Sequence, residues 1–284
     1  MAVHARISSR ARTIIEPTCR GYVVSVFSHG FDICFNPDEL VYIGGYDKPL
    51  SCIGVQLEPA LQRALMRTVS AGDEVYAEAG VLRFEKEEDP YTLNLSSLVP
   101  TELKISHSLT PEAQARLVNA LMASVCMEKT GLRDLSAAAT YVAALAEGGT
   151  SAQEAAIRWL YGRGPGLTPS GDDILCGYGA GLLAGGNARG HAHFSRLLDE
   201  VAKERTTTYV SRAYLRAMQE GYVNEQMLAL FGAAEVNQDL RQMIDRCKDY
   251  GHSSGTDMLV GLGCALMGAS ARLLNARSRV DTRS

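Results

Sequence analysis

The sequence predicts an α+β fold, with a small antiparallel β-rich domain at residues 1–105, a larger helical domain at 106–276 and a flexible tail at 277–284. Runs rich in β-branched and aromatic residues fill the first part, and helix start signals with apolar helical runs fill the second. The third observation is that fifteen of the 27 glycines fall within residues 162–190 and 251–268. Because glycine costs about 1 kcal/mol in a helix interior, this clustering requires a reason.

Six short strands are expected in the first domain, separated by turn formers such as His29-Gly30, Gly44-Gly45 and Asp89-Pro90. They cover residues 22–27, 31–35, 40–43, 52–57, 74–85 and 91–95, with a further turn at Asn36-Pro37-Asp38 and a helix at 58–69. The basic stretch before the first strand is interpreted as a solvated leader. Short strands at close spacing predict a small antiparallel sheet or barrel.

The helical domain opens at Thr110-Pro111, where threonine is a typical N-cap and proline favours the first helical position. The first helix is expected to end at Gly131 as its C-cap, and Ser151 with Glu154 forms a capping box for a later one. The helices are predicted at residues 110–130, 132–147, 151–161, 172–184, 191–220, 225–232, 237–250 and 255–276.

The bulk composition excludes several classes of protein. The chain has 284 residues, a net charge of −4 and 46% hydrophobic residues, which suits a folded protein without the basic face of a dedicated nucleic-acid binder. The two most apolar runs, 174–183 and 258–267, are shorter than the ~20 residues that cross a bilayer. Seven scattered cysteines without zinc-ligand spacing suggest free thiols in a cytoplasmic protein.

The two glycine-rich stretches repeat each other at an offset of 84 residues. Each contains a Ser-Gly-x-Asp turn followed by a helix with small residues on one face. The identities pair Ser170, Gly171, Asp173, Leu175, Gly177 and Gly179 with Ser254, Gly255, Asp257, Leu259, Gly261 and Gly263. Small faces allow helix backbones to approach closely, so we expect a pseudo-two-fold pair that brings both turns together. The alternative is two independent caps on core helices.

A helix start is a potential anion site, because its N–H groups are free and its dipole is positive. Asp172, Asp173 and Asp257 oppose an anion, unless a Mg²⁺ ion held by Asp173 and Asp257 or a substrate with both NH₂ and carboxylate groups resolves the conflict. The plainer alternative is that these acids only stabilise their helices. Ser211 could line the same pocket or face water, and His252 could be a donor, a base or a packed loop residue.

Three segments of the chain are distinctive together: Gly164-Pro-Gly-Leu-Thr-Pro-Ser-Gly-Asp-Asp173, Val210-Ser-x-x-Tyr-Leu-Arg216 and Gly251-His-Ser-Ser-Gly-x-Asp-x-Leu-x-Gly261. Over roughly residues 162–268 they resemble the AllH-type family. The family supplies one of three subunits of the oxamate carbamoyltransferase of anaerobic allantoin breakdown, a part of purine catabolism. The resemblance implies transfer of a carbamoyl group between carbamoyl phosphate and oxamate, giving oxalurate and phosphate, in an oligomer with other subunits.

The resemblance and the turn chemistry together give the candidate site. The catalytic candidates are Asp172, Asp173, His252 and Asp257. The substrate-binding candidates are Gly164, Gly166, Thr168, Ser170, Gly171, Ser211, Tyr214, Arg216, Ser253, Ser254 and Gly255, with Arg216 as a carboxylate clamp. The Ser-Thr-Arg-Thr-Arg phosphate motif of ordinary carbamoyltransferases is absent, so catalytic groups on partner subunits are expected as well.

Two other functions remain open from the sequence. The turn that ends at Asp257 is similar to the Mg²⁺-binding turns of ADP-ribosylglycohydrolases, which would make the chain a metal-dependent hydrolase. A non-catalytic subunit that serves assembly is the other alternative.

Overall fold

The computed structural model of the chain describes residues 5–36, 39–86 and 90–281. The predicted turn residues Pro37, Asp38 and Asp89, and the end of the predicted tail at 282–284, lie outside the described residues. The chain divides into two compact units. One comprises Met1–Lys104 with Tyr222–Glu225, and the other comprises Ile105–Gly221 with Gln226–Ser284.

The first unit is built on one eight-stranded sheet. Its strands are β1 (Ala5–Ile7), β2 (Cys19–Phe27), β3 (Gly30–Asn36), β4 (Glu39–Gly45), β5 (Gly54–Leu57), β6 (Glu74–Glu78), β7 (Val81–Glu85) and β8 (Tyr91–Asn94), with helices α1 (Ser9–Ile15) and α2 (Pro59–Thr68). The order across the sheet is β1-β5-β4-β3-β2-β6-β7-β8. Neighbouring strands pair antiparallel except β4 and β5, which are parallel, so the predicted β-rich domain is confirmed with one departure from antiparallel pairing.

Two expectations about this unit are wrong. The predicted single strand at residues 74–85 is a hairpin, because Ala79 and Gly80 have φ of 49° and 77° and form a two-residue turn. The expected solvated leader is instead β1 and α1 from residue 5 onward. Ile7 of β1 is fully buried, and so are Ala11 and Ile15, whose spacing of four places them on one face of α1 that packs into the core.

The second unit is helical. Its helices are α3 (Pro111–Ser124), α4 (Leu135–Glu147), α5 (Thr150–Leu160), α6 (Ser170–Ala184), α7 (Ala188–Ala202), α8 (Tyr209–Gln219), α9 (Glu225–Glu235), α10 (Leu240–Lys248) and α11 (Ser254–Asp281), with a short 3₁₀ helix at Met127–Lys129. The first residue of α9, Glu225, is counted with the other unit. Within the described residues, no helix is long and apolar enough to cross a membrane.

Several helix boundaries differ from the prediction. Thr110 caps α3 as expected, with its hydroxyl accepting from the Ala113 N–H at 3.3 Å, but the helix ends at Ser124. The backbone is extended at Val125 and Cys126, so Gly131 is not its C-cap. The capping box at Ser151 is also wrong, because α5 begins one residue earlier behind Gly149.

The predicted helix at 191–220 is two helices. Arg205 adopts a φ of 51°, in the left-handed region, and Thr208 starts α8 by accepting from the Ser211 N–H at 3.0 Å. A residue that caps a new helix cannot also continue the previous one, so the chain breaks between α7 and α8.

The centre of the second unit is the contact between α6 and α11. A Cβ on Gly177 would lie 1.9 Å from the Met258 carbonyl oxygen, and a Cβ on Gly261 would lie 1.9 Å from the Ile174 carbonyl oxygen. Each contact is the image of the other at the 84-residue offset. The two helices therefore meet backbone to backbone about a pseudo-two-fold axis, as the internal repeat predicts.

Each member of the pair also lies close to the helix that precedes it in the chain. A Cβ on Gly171 would lie 1.9 Å from the Leu160 carbonyl at the end of α5. A Cβ on Gly255 would lie 1.8 Å from the Cys247 carbonyl near the end of α10. The glycine of each Ser-Gly-x-Asp turn thus lets a helix start press against the preceding helix.

Alanine at Gly177 or Gly261 is expected to lower the free energy of unfolding of the second unit by about 2–4 kcal/mol, since the added methyl meets a backbone carbonyl that has no room to move. Urea unfolding followed by the emission of Trp159, the only tryptophan of the chain and a residue of α5, measures the second unit.

Gly232 in α9 is the matched control, because nothing lies within 4 Å of a Cβ built there. Gly232→Ala is expected to raise stability by about 0.5–1 kcal/mol through helix propensity. Equal effects at Gly177 and Gly232 would contradict the close approach of the two helices.

Candidate functional site

The two Ser-Gly-x-Asp turns begin α6 and α11 and lie side by side. Ser170 and Ser254 are the first residues of the two helices, and Asp173 and Asp257 lie in their first turns. Asp173 is 6% exposed and Asp257 is 0% exposed. Both carboxyl groups are therefore inside the protein, at the positive ends of two helix dipoles.

Each aspartate faces the serine of the other helix. The Ser254 hydroxyl interacts with Asp173, and the Ser170 hydroxyl interacts with Asp257. These two contacts are again images of each other at the 84-residue offset. The pseudo-two-fold axis thus runs through the carboxylate pair, which the repeat in the sequence predicted when it placed both turns together.

Thr168 and Gly131 complete the surroundings of the pair. The Thr168 and Ser254 hydroxyls are 3.0 Å apart and share a hydrogen bond. The Gly131 N–H donates to Asp257 Oδ1 at 3.2 Å, and a Cβ on Gly131 would lie 2.2 Å from Ser170 Oγ. Sequence reasoning missed Gly131, because its only visible signal, a glycine after a helical stretch, also fits a C-cap.

Three polar atoms of this cluster are buried without a hydrogen-bond partner among the described residues. They are Ser170 Oγ, Asp173 Oδ2 and Asp257 Oδ2. The Ser170 hydroxyl is near enough to Asp257 to favour its ionised form, but the pair does not meet hydrogen-bond geometry. Buried polar atoms are almost always paired in folded proteins, so three orphans in one cluster mark an incomplete site.

Burial dominates the ionisation of both carboxyl groups. It raises the pKa of Asp257 from 3.8 to about 6, although the Ser253 and Ser170 hydroxyls and the Gly131 N–H oppose the rise. Burial also raises the pKa of Asp173 well above its usual value, with a further contribution from the charge of Asp257. The two groups therefore titrate as a pair in which protonation of one favours ionisation of the other.

Asp172 makes different contacts from Asp173, the next residue in α6. Its Oδ1 accepts from the Gly162 N–H at 2.8 Å, and its Oδ2 accepts from the hydroxyls of Ser211, at 2.6 Å, and Thr207. Burial raises its pKa, but these three hydrogen bonds oppose the shift. Asp172 thus ties the start of α6 to the preceding loop and to α8, and the structure favours a positioning role for both Asp172 and Ser211.

The glycines of the predicted site divide into two kinds. Gly164 has a φ of 123°, and a Cβ there would lie 2.6 Å from the Ser170 nitrogen, whereas Gly166 has a φ of 90° with open space around it. The N–H groups of Gly171 and Gly255 donate to the carbonyls of Arg163 and Tyr250 at 2.8 and 2.9 Å. Those two amides, predicted to face a ligand, are used within the fold.

The side chains of the other predicted site residues range from partly buried to exposed. Ser253, Ser254 and Thr168 are partly buried at the two helix starts, and Tyr214 on α8 is also partly buried. His252 is exposed beside the second start. Arg216 is exposed and pairs at 3.1 Å with Glu220, the C-cap of α8. The structure thus brings together the serines, Thr168, Asp173 and Asp257, and gives Arg216 an ion pair on the surface.

The predicted metal site consists of two carboxyl groups. No group of three or more His, Cys, Asp or Glu side chains that could hold a metal occurs in the described parts of the chain. Because Mg²⁺ is usually held by one or two carboxylates together with waters and substrate phosphates, the metal role of Asp173 and Asp257 stays a prediction.

The comparison with known families matches the part of the chain that carries this site. Residues 160–266 match the family described as oxamate carbamoyltransferase subunit AllH. This confirms the resemblance to the AllH-type family. The matched segment begins at the end of α5 and ends within α11, so it contains both helix starts and the α6–α11 contact. No solved structure matched the chain.

The raised pKa values predict a pH dependence of stability. The folded chain holds the proton of Asp257 up to about pH 6, whereas the unfolded chain releases it near 3.8. Folded stability contributed by this group is therefore complete below about pH 4 and is lost as the pH rises through 6, and the raised pKa of Asp173 acts in the same direction.

Between pH 4 and 7 the free energy of unfolding is expected to fall by roughly 2–3 kcal/mol less in Asp257→Asn than in the wild type. Asparagine cannot ionise, and its side-chain oxygen still accepts from the Gly131 N–H. Urea unfolding at several pH values measures this difference. Asp245→Asn, at an exposed site on α10, is the control and is expected to keep the wild-type slope. A wild-type slope in Asp257→Asn would contradict the burial of an ionisable pair.

Proposed function

We propose that the chain is a subunit of a carbamoyltransferase that transfers a carbamoyl group from carbamoyl phosphate to oxamate, giving oxalurate and phosphate. The observation that carries the proposal is the reciprocal Asp173–Asp257 pair with its unsatisfied atoms, inside the segment that matches the AllH-type family. The family description supports the reaction, and the buried cluster supports a substrate site at the two helix starts.

The two helix starts suit a small substrate that carries both an anionic group and an amide. The positive ends of α6 and α11 and the partly buried hydroxyls of Thr168, Ser253 and Ser254 favour carboxylate or phosphate oxygens. The carboxylate pair favours groups that donate hydrogen bonds, and the amide of oxamate and the carbamoyl group of carbamoyl phosphate are both donors. A substrate of this kind would place its donors at the acids and its anionic group at the hydroxyls and helix starts.

The reaction requires a base at the attacking nitrogen. The amide nitrogen of oxamate attacks the carbamoyl carbon, a C–N bond forms, the C–O bond to phosphate breaks, and the nitrogen loses one proton. Asp257 is the candidate base, because a carboxyl group with a pKa of about 6 is largely ionised at neutral pH and still accepts a proton well. Asp173 would stabilise the pair by keeping a proton.

Other subunits of the enzyme are the proposed partners. The phosphate motif of ordinary carbamoyltransferases is absent from the sequence, and Arg216 pairs with Glu220 on the surface of α8. A cationic group that holds the leaving phosphate is therefore expected from a partner subunit. This division of groups would make the full activity a property of the assembled enzyme.

Calorimetry of the purified full-length chain with carbamoyl phosphate, oxamate and oxalurate, with and without Mg²⁺, tests the proposal. Binding of at least one of the three is expected without Mg²⁺. Asp257→Ala is expected to weaken that binding at least 30-fold, about 2 kcal/mol, because it removes a buried acceptor that the ligand would use.

Asp245→Ala, on the surface of α10, is the control and is expected to bind as the wild type does. Absence of heat with all three ligands would overturn the proposed binding site. Wild-type binding together with wild-type activity of the assembled enzyme in Asp257→Ala would overturn the role of the carboxylate pair and favour a subunit that serves assembly.

A further inference from the structure

The three unsatisfied atoms of the site lie at the two adjacent helix starts. Ser170 and Asp173 are in the first turn of α6 and Asp257 is in the first turn of α11, and the hydroxyls of Thr168 and Ser254 connect the two starts at 3.0 Å. Gly131 contacts both starts, through its N–H to Asp257 Oδ1 and through its close approach to Ser170 Oγ. Ser170 is 1% exposed, so all three side chains are more than nine-tenths buried. We refer to Ser170 Oγ, Asp173 Oδ2 and Asp257 Oδ2 as the orphan triad.

The chemistry of the orphan triad selects the kind of ligand group that completes it. The Ser170 hydroxyl and the ionised Asp257 carboxylate accept hydrogen bonds, and so does the Asp173 carboxyl oxygen that does not carry the proton, so a group that donates is complementary to the triad. A carboxylate in the same place would meet two acidic side chains and offer no hydrogen. An amide NH₂ offers two N–H donors without a net charge, and so matches the triad without the ion–ion repulsion.

We propose that the orphan triad recognises the NH₂ group of the amide substrate and makes the site selective for an amide over a carboxylate. This inference rests on the proposed function. Within oxamate, the NH₂ end would occupy the buried triad, and the carboxylate end would face the less buried hydroxyls of Thr168, Ser253 and Ser254. Ser170 becomes a specificity-determining residue, since its hydroxyl makes no hydrogen bond within the described fold.

Oxalate provides the matched ligand for this inference, because it has an oxygen in place of the NH₂ group of oxamate, and with it a second negative charge at neutral pH. Calorimetry at neutral pH is expected to show oxamate binding to the full-length chain at least 50-fold more tightly than oxalate. Sites built to pair with a ligand N–H commonly discriminate by this much or more, because the wrong ligand leaves buried polar groups unpaired.

Ser170→Ala tests the residue that the inference singles out. The change is expected to weaken oxamate binding about 10-fold, to leave oxalate binding unchanged within twofold, and so to reduce the ratio between them. The variant should fold, because the hydroxyl that it removes has no partner in the described structure. Urea unfolding followed by Trp159 emission verifies this.

Ser195→Ala is the matched control. Ser195 lies on α7, and its hydroxyl oxygen is also buried without a partner among the described residues. This variant makes the same chemical change outside the proposed site, and it is expected to bind both ligands as the wild type does. An equal loss in Ser170→Ala and Ser195→Ala would overturn the assignment of Ser170.

The outcomes separate this inference from the proposed function. Equal affinity for oxamate and oxalate would overturn the amide selectivity and leave the proposed function standing. Wild-type oxamate affinity in Ser170→Ala would overturn the assignment of the orphan triad as the site of the NH₂ group. Absence of binding by either ligand, and by carbamoyl phosphate and oxalurate, would overturn the proposed function and the inference together.

Discussion

The close approach of α6 and α11 is the constraint on which the helical unit depends. At Gly177 and Gly261 there is no room for a side chain, because each glycine faces a carbonyl of the opposite helix. Helices packed through larger side chains lie about 8–10 Å apart, and at such a distance the two first turns could not share a cluster of side chains. The contact between Asp173 and Ser254, and its image between Asp257 and Ser170, therefore depends on glycines one turn or more away.

The same constraint explains why the site carries so much buried polarity. Two helix starts present two positive dipole ends, which offset part of the cost of burying Asp173 and Asp257. Asp172 then anchors the first start to α8 and to the loop at Gly162, so the position of the cluster does not rely on the helix pair alone. The unpaired orphan triad lowers the stability of the fold, which is the cost expected of the proposed binding site.

Much of the site could be predicted from the sequence because its signals are local and repeated. The Ser-Gly-x-Asp turns, the small residues that follow and the 84-residue offset are visible without a structure, and together they predict the helix pair. Gly131 could not be found in this way, because it contributes a backbone N–H from a segment 126 residues away from Asp257 in sequence. The roles of Asp172 and Asp173 also needed the structure, since neighbouring helix residues point about 100° apart.

The first unit shows a second reason why parts of the structure could not be predicted from the sequence. Ala79 takes the positive φ that a two-residue hairpin requires, a place where asparagine, aspartate or glycine would have marked the turn. The basic residues near the start likewise concealed the apolar spacing of Ala11 and Ile15, which packs α1 into the core. In both places tertiary packing prevailed over a weak local preference. The predicted α+β fold class is correct despite these errors, because it depends on many segments at once.

The departures from the repeat have a consequence of their own. A perfectly symmetric pair of helix starts would accept a ligand with two different ends in two equivalent orientations, and only one of them could be productive. The 84-residue offset places Thr256 opposite Asp172 and His252 opposite Thr168, so the two halves differ beside the shared carboxylates. The two helices are related by symmetry, but the side chains around the proposed site are not. This difference would allow an unsymmetrical ligand to bind in one orientation instead of two equivalent ones.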